Sequence, residues 1–357
     1  MDLQFKKFSE IDLNDDFFSS LRADYDGFND WFIKKSNANE QAIVAINPES
    51  NELLGFLYLK TEEESLHDLN PSQPSRKRLK IGTMKIIPHG TRLGERFIKK
   101  IFDYAFNESV YSIYVTVFPK HKALTSLFKH FGFHLAATKE TSNGTEDVYA
   151  FVIDPMVIQE NKEDAKYPFI KIFDETTSFY ILAIYPIFHT RLFPDSKLNT
   201  ESFSDVIDTS SANSIEKAYI TNMRGTENIK TNDVLCIYRT ASGKNAEYTS
   251  VITSVCVVTS TKHISDYVNE EEFVKDLLRY SVFSEDELIT IFKEKKYTNV
   301  IKMTYNMALK KRINRHTLIE DLKVINRSAY AGFMSLSKED FLHIINRSES
   351  NARLIID

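Results

Sequence analysis

Cysteine is nearly missing from this chain: among 357 residues only Cys236 and Cys256 occur. Without a CxxC pair or a paired His/Cys cluster, neither a disulfide framework nor a structural zinc site is expected, and two lone thiols indicate a reducing compartment. Glycine and proline are also few, 10 and 9, against 26 Phe and 17 Tyr. With 42% hydrophobic and 27% charged residues the chain can bury real cores, which excludes global disorder. No large excess of one charge is present. The net −5 argues against a general nucleic-acid coat protein and leaves a local basic face open. Long apolar runs are absent too. The longest, around Tyr180 to Phe188, is about ten residues, contains Pro186, and is about half of what a membrane span needs. Met1 to Phe18 is acidic and broken by charges, so it reads as no signal peptide. The expectation is a soluble, cytoplasmic protein with no membrane partner.

The length suits two domains. In the first half, Asp15 to Ser36 carries aromatic and apolar residues at mostly helical steps, with Gly27 bending or dividing the run. Ala42–Ile46 and Leu53–Lys60 read as a hairpin about the turn cluster Asn47 to Glu52, and His67 to Arg78 as a polar loop. A final strand is expected at Asp147–Ile153. The charged segment 159–166 reads as a linker, so the domains are predicted at 1–158 and 167–357.

The most informative stretch runs from Leu79 to Phe133. Leu79–Ile87 is a strand stopped by Pro88. From Leu93, apolar residues at Phe97, Ile98, Ile101, Phe102 and Ala105 mark an amphipathic helix. Ser112–Phe118 alternates as a strand. Ala123 to Phe131 forms a second helical stripe, with Gly132 placed for a left-handed cap and Phe133 to pack back on it. A glycine-containing turn that opens a helix is a phosphate-binding device, because its amides and the helix dipole both favour an anion. This order of elements resembles the core of the GCN5-related N-acetyltransferase (GNAT) family. Pro88 to Gly94 falls where that family carries Arg/Gln-x-x-Gly-x-Gly/Ala: His89 takes the first place, Arg92 that of the middle glycine, Gly94 that of the last, with Gly90 as an extra glycine.

The resemblance implies an α/β (α+β) fold with a mixed central sheet flanked by helices, and acetyl-CoA as cofactor. It places the coenzyme on Met84, Lys85, Ile86, His89, Gly90, Thr91, Arg92, Leu93, Gly94, Glu95, Arg96 and Lys120. Backbone amides near Met84 would polarise the thioester carbonyl. The surrounding stretch from Arg76 to Lys100 is basic, with Glu95 its one acid. Its readings are a solvated face, a seat for coenzyme phosphates, or one for an RNA backbone. The family's Asn-x-x-Ala-x-x-Leu-Tyr helix corresponds to Lys120 to Phe128, and Phe128 has no hydroxyl to protonate a departing thiolate. Tyr114 and Thr116 are the substitutes expected, with Tyr104 and His121 as further alternatives. Glu52, Tyr58 and His67 lie near the edge where acceptors usually enter.

From about Tyr167 the chain resembles, more faintly, PUA-like domains of the ASCH and EVE type. The carriers are Ile229 to Arg239 (with Asn232 at the usual glycine), the long β-run Tyr248 to Val258, and Leu336 to Phe341. This implies a PUA-like β-barrel with helical additions that binds RNA or a nucleotide-bearing substrate, for which Tyr238, Arg239 and Arg327 have suitable chemistry. Phe188 to Asp195 is a second polar cluster, read either as a site or as a turn in which Asp195 pairs with Arg191. Two functions of different class follow. One is an acyl-CoA-dependent N-acyltransferase whose second domain recruits the acceptor. The other is a GNAT-fold binding or regulatory protein without turnover.

Overall fold

The computed structural model describes residues 3–196, 209–241, 243, 245–330 and 332–357. It divides into two compact units, Met1–Asn161 and Lys162–Asp357.

The first unit contains β1 (Leu3–Lys7), α1 (Ser19–Asp24), α2 (Phe28–Asn37), β2 (Gln41–Ile46), β3 (Leu53–Glu62), β4 (Leu69–Asn70), β5 (Arg78–Ile86), α3 (Leu93–Asn107), β6 (Ser112–Val117), α4 (Lys122–His130), β7 (His134–Thr141), β8 (Gly144–Val152) and α5 (Pro155–Glu160). One eight-stranded sheet runs β1-β2-β3-β5-β6-β8-β7-β4. All its neighbours are antiparallel except β5 and β6, which run parallel and are joined through α3. Gly27 precedes α2, dividing the aromatic-rich helical region as the sequence indicated. Gly132 has φ +86, the left-handed cap expected after α4. Three strands escaped the sequence reading, among them the two-residue β4 inside the stretch read as a polar loop. β1 is short and mostly exposed, and β7 lies near the sheet edge with one fully buried position, so neither carries a strong alternation.

Two aromatic layers cover the sheet. On one face Phe8 is clasped by Trp31, Phe32, Phe56 and Tyr58, with ring centroids 4.9–5.6 Å away in edge-to-face arrangements. On the other, α3 packs directly on β3. A Cβ on Gly55 would lie 2.8 Å from the Phe97 ring, so glycine is what permits the approach.

The second unit contains β9 (Ile170–Lys171), β10 (Phe179–Ile184), α6 (Pro186–Leu192), α7 (Ser210–Asn213), β11 (Glu216–Thr221), β12 (Val234–Arg239), α8 (Ala246–Thr249), β13 (Val251–His263), α9 (Glu270–Leu277), α10 (Glu285–Glu294), β14 (Asn299–Asn314), α11 (Arg315–Glu320), β15 (Phe333–Leu336), α12 (Lys338–Arg347) and β16 (Ile355–Ile356). Its main sheet runs β11-β14-β13-β12-β10-β15. The closed PUA-like barrel expected from the sequence is not formed by the described residues, since β11 and β15 end the sheet without pairing to each other. Bulges where β12 and β14 meet β13 allow the sheet to curl. The Tyr219 hydroxyl of β11 donates to the Ala183 carbonyl of β10 at 3.3 Å, bridging strands that are not neighbours in the sheet. Asn232 has φ +73, the left-handed conformation that explains a glycine-like position there. Ser284 with Glu287 and Ser337 with Asp340 form capping boxes that start α10 and α12.

Phe8→Ala removes the hub of the first aromatic layer. It should destabilise the first unit by about 3–5 kcal/mol, read as a lowered urea midpoint with little change in slope.

Candidate functional site

Parallel strands β5 and β6 pair only from Arg78–Ser112 to Ile81–Val115. Beyond that point β5 continues on its other side with β3, as far as Ile86, while β6 continues with β8, as far as Val117. The two strands therefore separate, and the β5 edge from Gly82 to Ile86 loses its partner on the β6 side. A backbone edge without a partner has amides and carbonyls to offer a ligand.

A cleft of about 1150 Å³ occupies this opening. It is lined on the strands by Lys80 to Ile86 and Val115 to Val117, at the helix end by His89 to Gly94, and at the start of α4 by His121 to Leu124. It is also walled by Tyr25, Trp31, Tyr58, Glu62, Lys139 and Glu146.

The turn between β5 and α3 has an unusual backbone. Gly90 (φ +82) and Arg92 (φ +58) both adopt left-handed conformations immediately before Leu93 opens the helix. For arginine this conformation costs of the order of 1–3 kcal/mol, which the surroundings must offset. Two sets of contacts hold the turn. The Arg92 guanidinium pairs with Glu95, within the first turn of the helix. His89 bridges the loop, Nδ1 lying 2.6 Å from the Ile87 carbonyl and Nε2 2.7 Å from the Thr91 hydroxyl. The carbonyl can only accept, so Nδ1 carries the proton. Gly94 has a separate role: a Cβ there would lie 2.9 Å from Leu127, so it lets α3 approach α4 closely.

The residues expected to hold a coenzyme thus fall into two groups. Met84, Lys85, Ile86, His89, Gly90, Thr91, Arg92, Leu93, Gly94 and Lys120 line the cleft together. Glu95 and Arg96 do not line it; both are buried in α3. Lys85 spends its ammonium on Ser20 at 2.6 Å and on the Phe17 carbonyl, tying the start of α1 to β5. Burial lowers its pKa.

The expected catalytic residues are not brought together. Met84 and Thr116 line the cleft, but Tyr114 does not. Tyr114 is buried against Leu69, Ala137 and Val148, and its hydroxyl donates to Glu62. Burial first, then that carboxylate, push its pKa far up. Phe128 is fully buried, its ring 5.1 Å from Phe133, so it packs the core and does not face the cleft.

Sequence reasoning missed the carboxylates of the cleft. Glu62 accepts from Tyr114 and from Lys60 at 3.2 Å. Burial raises its pKa, but the Tyr114 hydrogen bond with Lys80 and Lys60 prevails and holds it below the ordinary carboxylate range. Asp24 contacts Lys120 and lies 3.1 Å from His121 Nε2, reaching from α1 to the start of α4. Glu146 is buried and receives the Tyr25 hydroxyl at 3.3 Å. The alternation of Phe56, Tyr58, Lys60 and Glu62 along β3 was the signal that could have placed Glu62 on the face of Tyr58, had the strand been read to its true end.

In the second unit, Tyr238 and Arg239 are both buried and cannot form an exposed wall for a base. Arg327 is exposed and pairs with Glu247 and Glu320. His189 is wholly buried, Nε2 lying 2.7 Å from the Thr253 hydroxyl. Burial, aided by Arg239 and Arg312, pushes its pKa down to about 3, so it is neutral at physiological pH. Arg191 donates to the Val282 carbonyl.

No family model and no curated protein matches the chain. Solved structures do resemble parts of it. The NatC complex bound to Gag peptide and CoA is 15% identical with TM-score 0.30, covering 43% of this chain and 99% of that one. NAA60 of Arabidopsis thaliana in complex with a bisubstrate analogue is 17% identical with TM-score 0.31, covering 42% and 97%. A mutant form of the ZmASCH protein from Zymomonas mobilis is 10% identical with TM-score 0.31, covering 47% and 95%. At these scores the likeness is partial, and the functional reading rests on the cleft itself.

Tyr114→Phe removes the donor that helps keep Glu62 ionised. A depressed carboxyl pKa stabilises the fold above the unfolded-state value and loses that contribution as pH falls through the folded value. The variant should therefore be less stable than wild type by about 1–3 kcal/mol near neutrality. The gap should close below the usual carboxylate range, as measured by urea unfolding across pH.

Proposed function

We propose that the first unit is an acyl-CoA-dependent N-acyltransferase, with acetyl-CoA as donor and an amine as acceptor. The observation that carries this reading is the parting of β5 from β6 into a cleft that ends on a left-handed turn at a helix N-terminus.

The residues suit the group. The start of α3, with the amides of the turn from Gly90 onward and the positive helix end, would hold the pyrophosphate. The β5 edge from Gly82 to Ile86 spans about 13 Å at strand rise and would hydrogen-bond the extended arm that follows. Acetyl-CoA supplies an activated thioester carbonyl; the chain supplies position. Amides of β5 near Met84 would bind the carbonyl oxygen as charge develops on it. Tyr25, Trp31 and Tyr58 also wall the cleft, and the acceptor would enter beside them. Glu62, already taken up by Tyr114 and Lys60 and held ionised, contributes charge and is a poor proton acceptor. Much of the acceleration then falls to holding the amine against the thioester.

A second reading has one observation of its own. Phe128, where the related tyrosine would stand, is buried in the core, which favours a protein that binds coenzyme without turning it over. For the second unit, the burial of Tyr238 and Arg239 removes two of the three residues expected to recognise RNA, and the third, the exposed Arg327, is paired with Glu247 and Glu320.

Calorimetry of the full chain with acetyl-CoA tests the proposal, and saturable one-to-one binding is expected. Gly90→Val should weaken that binding at least about tenfold, roughly 1.4 kcal/mol, because a β-branched residue resists φ +82. The variant should still fold, with any loss of stability confined to the backbone strain of about 1–3 kcal/mol, since nothing lies within 4 Å of a Cβ there. An absence of binding by folded wild type sinks the reading. Release of free thiol in the presence of amines then separates the transferase from the silent binder.

A further inference from the structure

At the acceptor end of the cleft one cation has no direct ion pair among the described residues, although Glu62, Asp68 and Glu146 are in the neighbourhood. Lys80 and Lys60 stand directly opposite each other on β5 and β3, and Tyr114 stands opposite Lys80 on β6. Like charges facing each other across a ladder destabilise it unless an anion intervenes. Lys139 from β7 adds a third cation to this end.

The anions nearby are already engaged. Glu62 takes Lys60 at 3.2 Å and the Tyr114 hydroxyl. Asp68 takes Lys139 at 2.7 Å. Lys80 is left with no carboxylate within ion-pair distance among the described residues; its close partner is the Tyr114 ring, 5.6 Å from its ammonium. Yet Lys80 is half-buried, and burial pulls its pKa down despite the pull of Glu62 in the other direction. A partly buried cation whose nearest carboxylate is hydrogen-bonded elsewhere is incompletely compensated, an arrangement explained if a ligand brings a further anion.

We propose that the acceptor is an amine that also carries an anionic group, a carboxylate or a phosphate, and that this group seats on Lys80. The inference rests on the transferase reading and adds the acceptor's chemical class to it. Lys80 lies one residue before β5 and β6 part. An anion seated there would hold the attached amine beside the opening in which the thioester would lie. The aromatic walls, Trp31 and Tyr58, would bury the carbon skeleton between the two groups.

The test reads the seat directly and separately from the coenzyme. With lysines ¹³C-dimethylated, which keeps their charge, the Lys80 resonance is assigned by its loss in Lys80→Met. It is then followed on adding O-phosphoethanolamine, β-alanine or ethanolamine. A saturable shift with one of the two anionic amines and none with ethanolamine is expected, and the one that acts names the anion. If neither shifts it, the proposal is overturned. In turnover with acetyl-CoA, Lys80→Met should raise KM for that amine at least about tenfold while kcat changes less, and Lys80→Arg should restore most of the loss. A fall in kcat at unchanged KM would instead make Lys80 a proton-transfer group and overturn the proposal. Calorimetry keeps the two readings apart. Lys80→Met should bind acetyl-CoA like wild type, and a wild type that fails to bind it defeats the transferase reading while the Lys80 resonance still reports on the anion seat.

Discussion

The cleft of the first unit depends on where two parallel strands stop pairing. Up to Ile81 and Val115 they are ordinary neighbours; beyond that, each is committed to a different partner, β5 to β3 and β6 to β8. Backbone polar groups on an unpaired edge are costly to leave without partners, so the gap persists only because both strands are anchored on their far sides. β5 carries on into the turn that opens α3, and β6 into the start of α4. The opening between the strands is thereby the opening between two helix N-termini.

The contacts around the gap keep it open at one end and shaped at the other. At the helix end, Arg92 is held left-handed while its guanidinium is engaged by Glu95, and His89 spans Ile87 and Thr91. The strained backbone is thus braced by its own side chains. At the other end, Gly82 permits Tyr58 to lie across β5; a Cβ there would come 2.6 Å from the Tyr58 ring. Lys85 and Asp24 tie α1 to β5 and to the start of α4. The aromatic wall, with Trp31 on α2 and Tyr58 on β3, is therefore fastened to the strands that part and to the helix that follows one of them.

Much of this was legible in the sequence, because it depends on local patterns. The stripe of α3, the alternation of β6 and the left-handed glycine at Gly132 each have a short-range signature, and each was found. The rest depends on register. Lys80 reads as an ordinary polar residue of a strand; only the register shows that it stands opposite Lys60 and Tyr114, with Glu62 engaged by both of these. Tyr114 has a suitable hydroxyl for catalysis, but the side of the sheet it faces, and its partner Glu62, are tertiary facts. Tyr238 and Arg239 misled for a different reason. All six residues of β12 are buried, so the strand is covered on both faces and carries no alternation to separate inward from outward positions.

The electrostatics of the cleft bear on what kind of chemistry it can do. Its carboxylates are each tied to a neighbour: Asp24 to Lys120 and His121, Glu146 to Tyr25, and Glu62 to Tyr114 and Lys60. Phe128 offers no proton, and Tyr114 is buried with its pKa far above neutrality. A cleft arranged in this way is poor in dedicated acids and bases and rich in groups that hold position: a braced turn, an unpaired strand edge, aromatic walls and a lysine with no direct ion pair among the described residues. An acceptor that supplies its own anion would bind most firmly where the cleft is least satisfied. The binding energy of that remote group could then go toward orienting the amine, which is how positioning substitutes for a stronger acid or base.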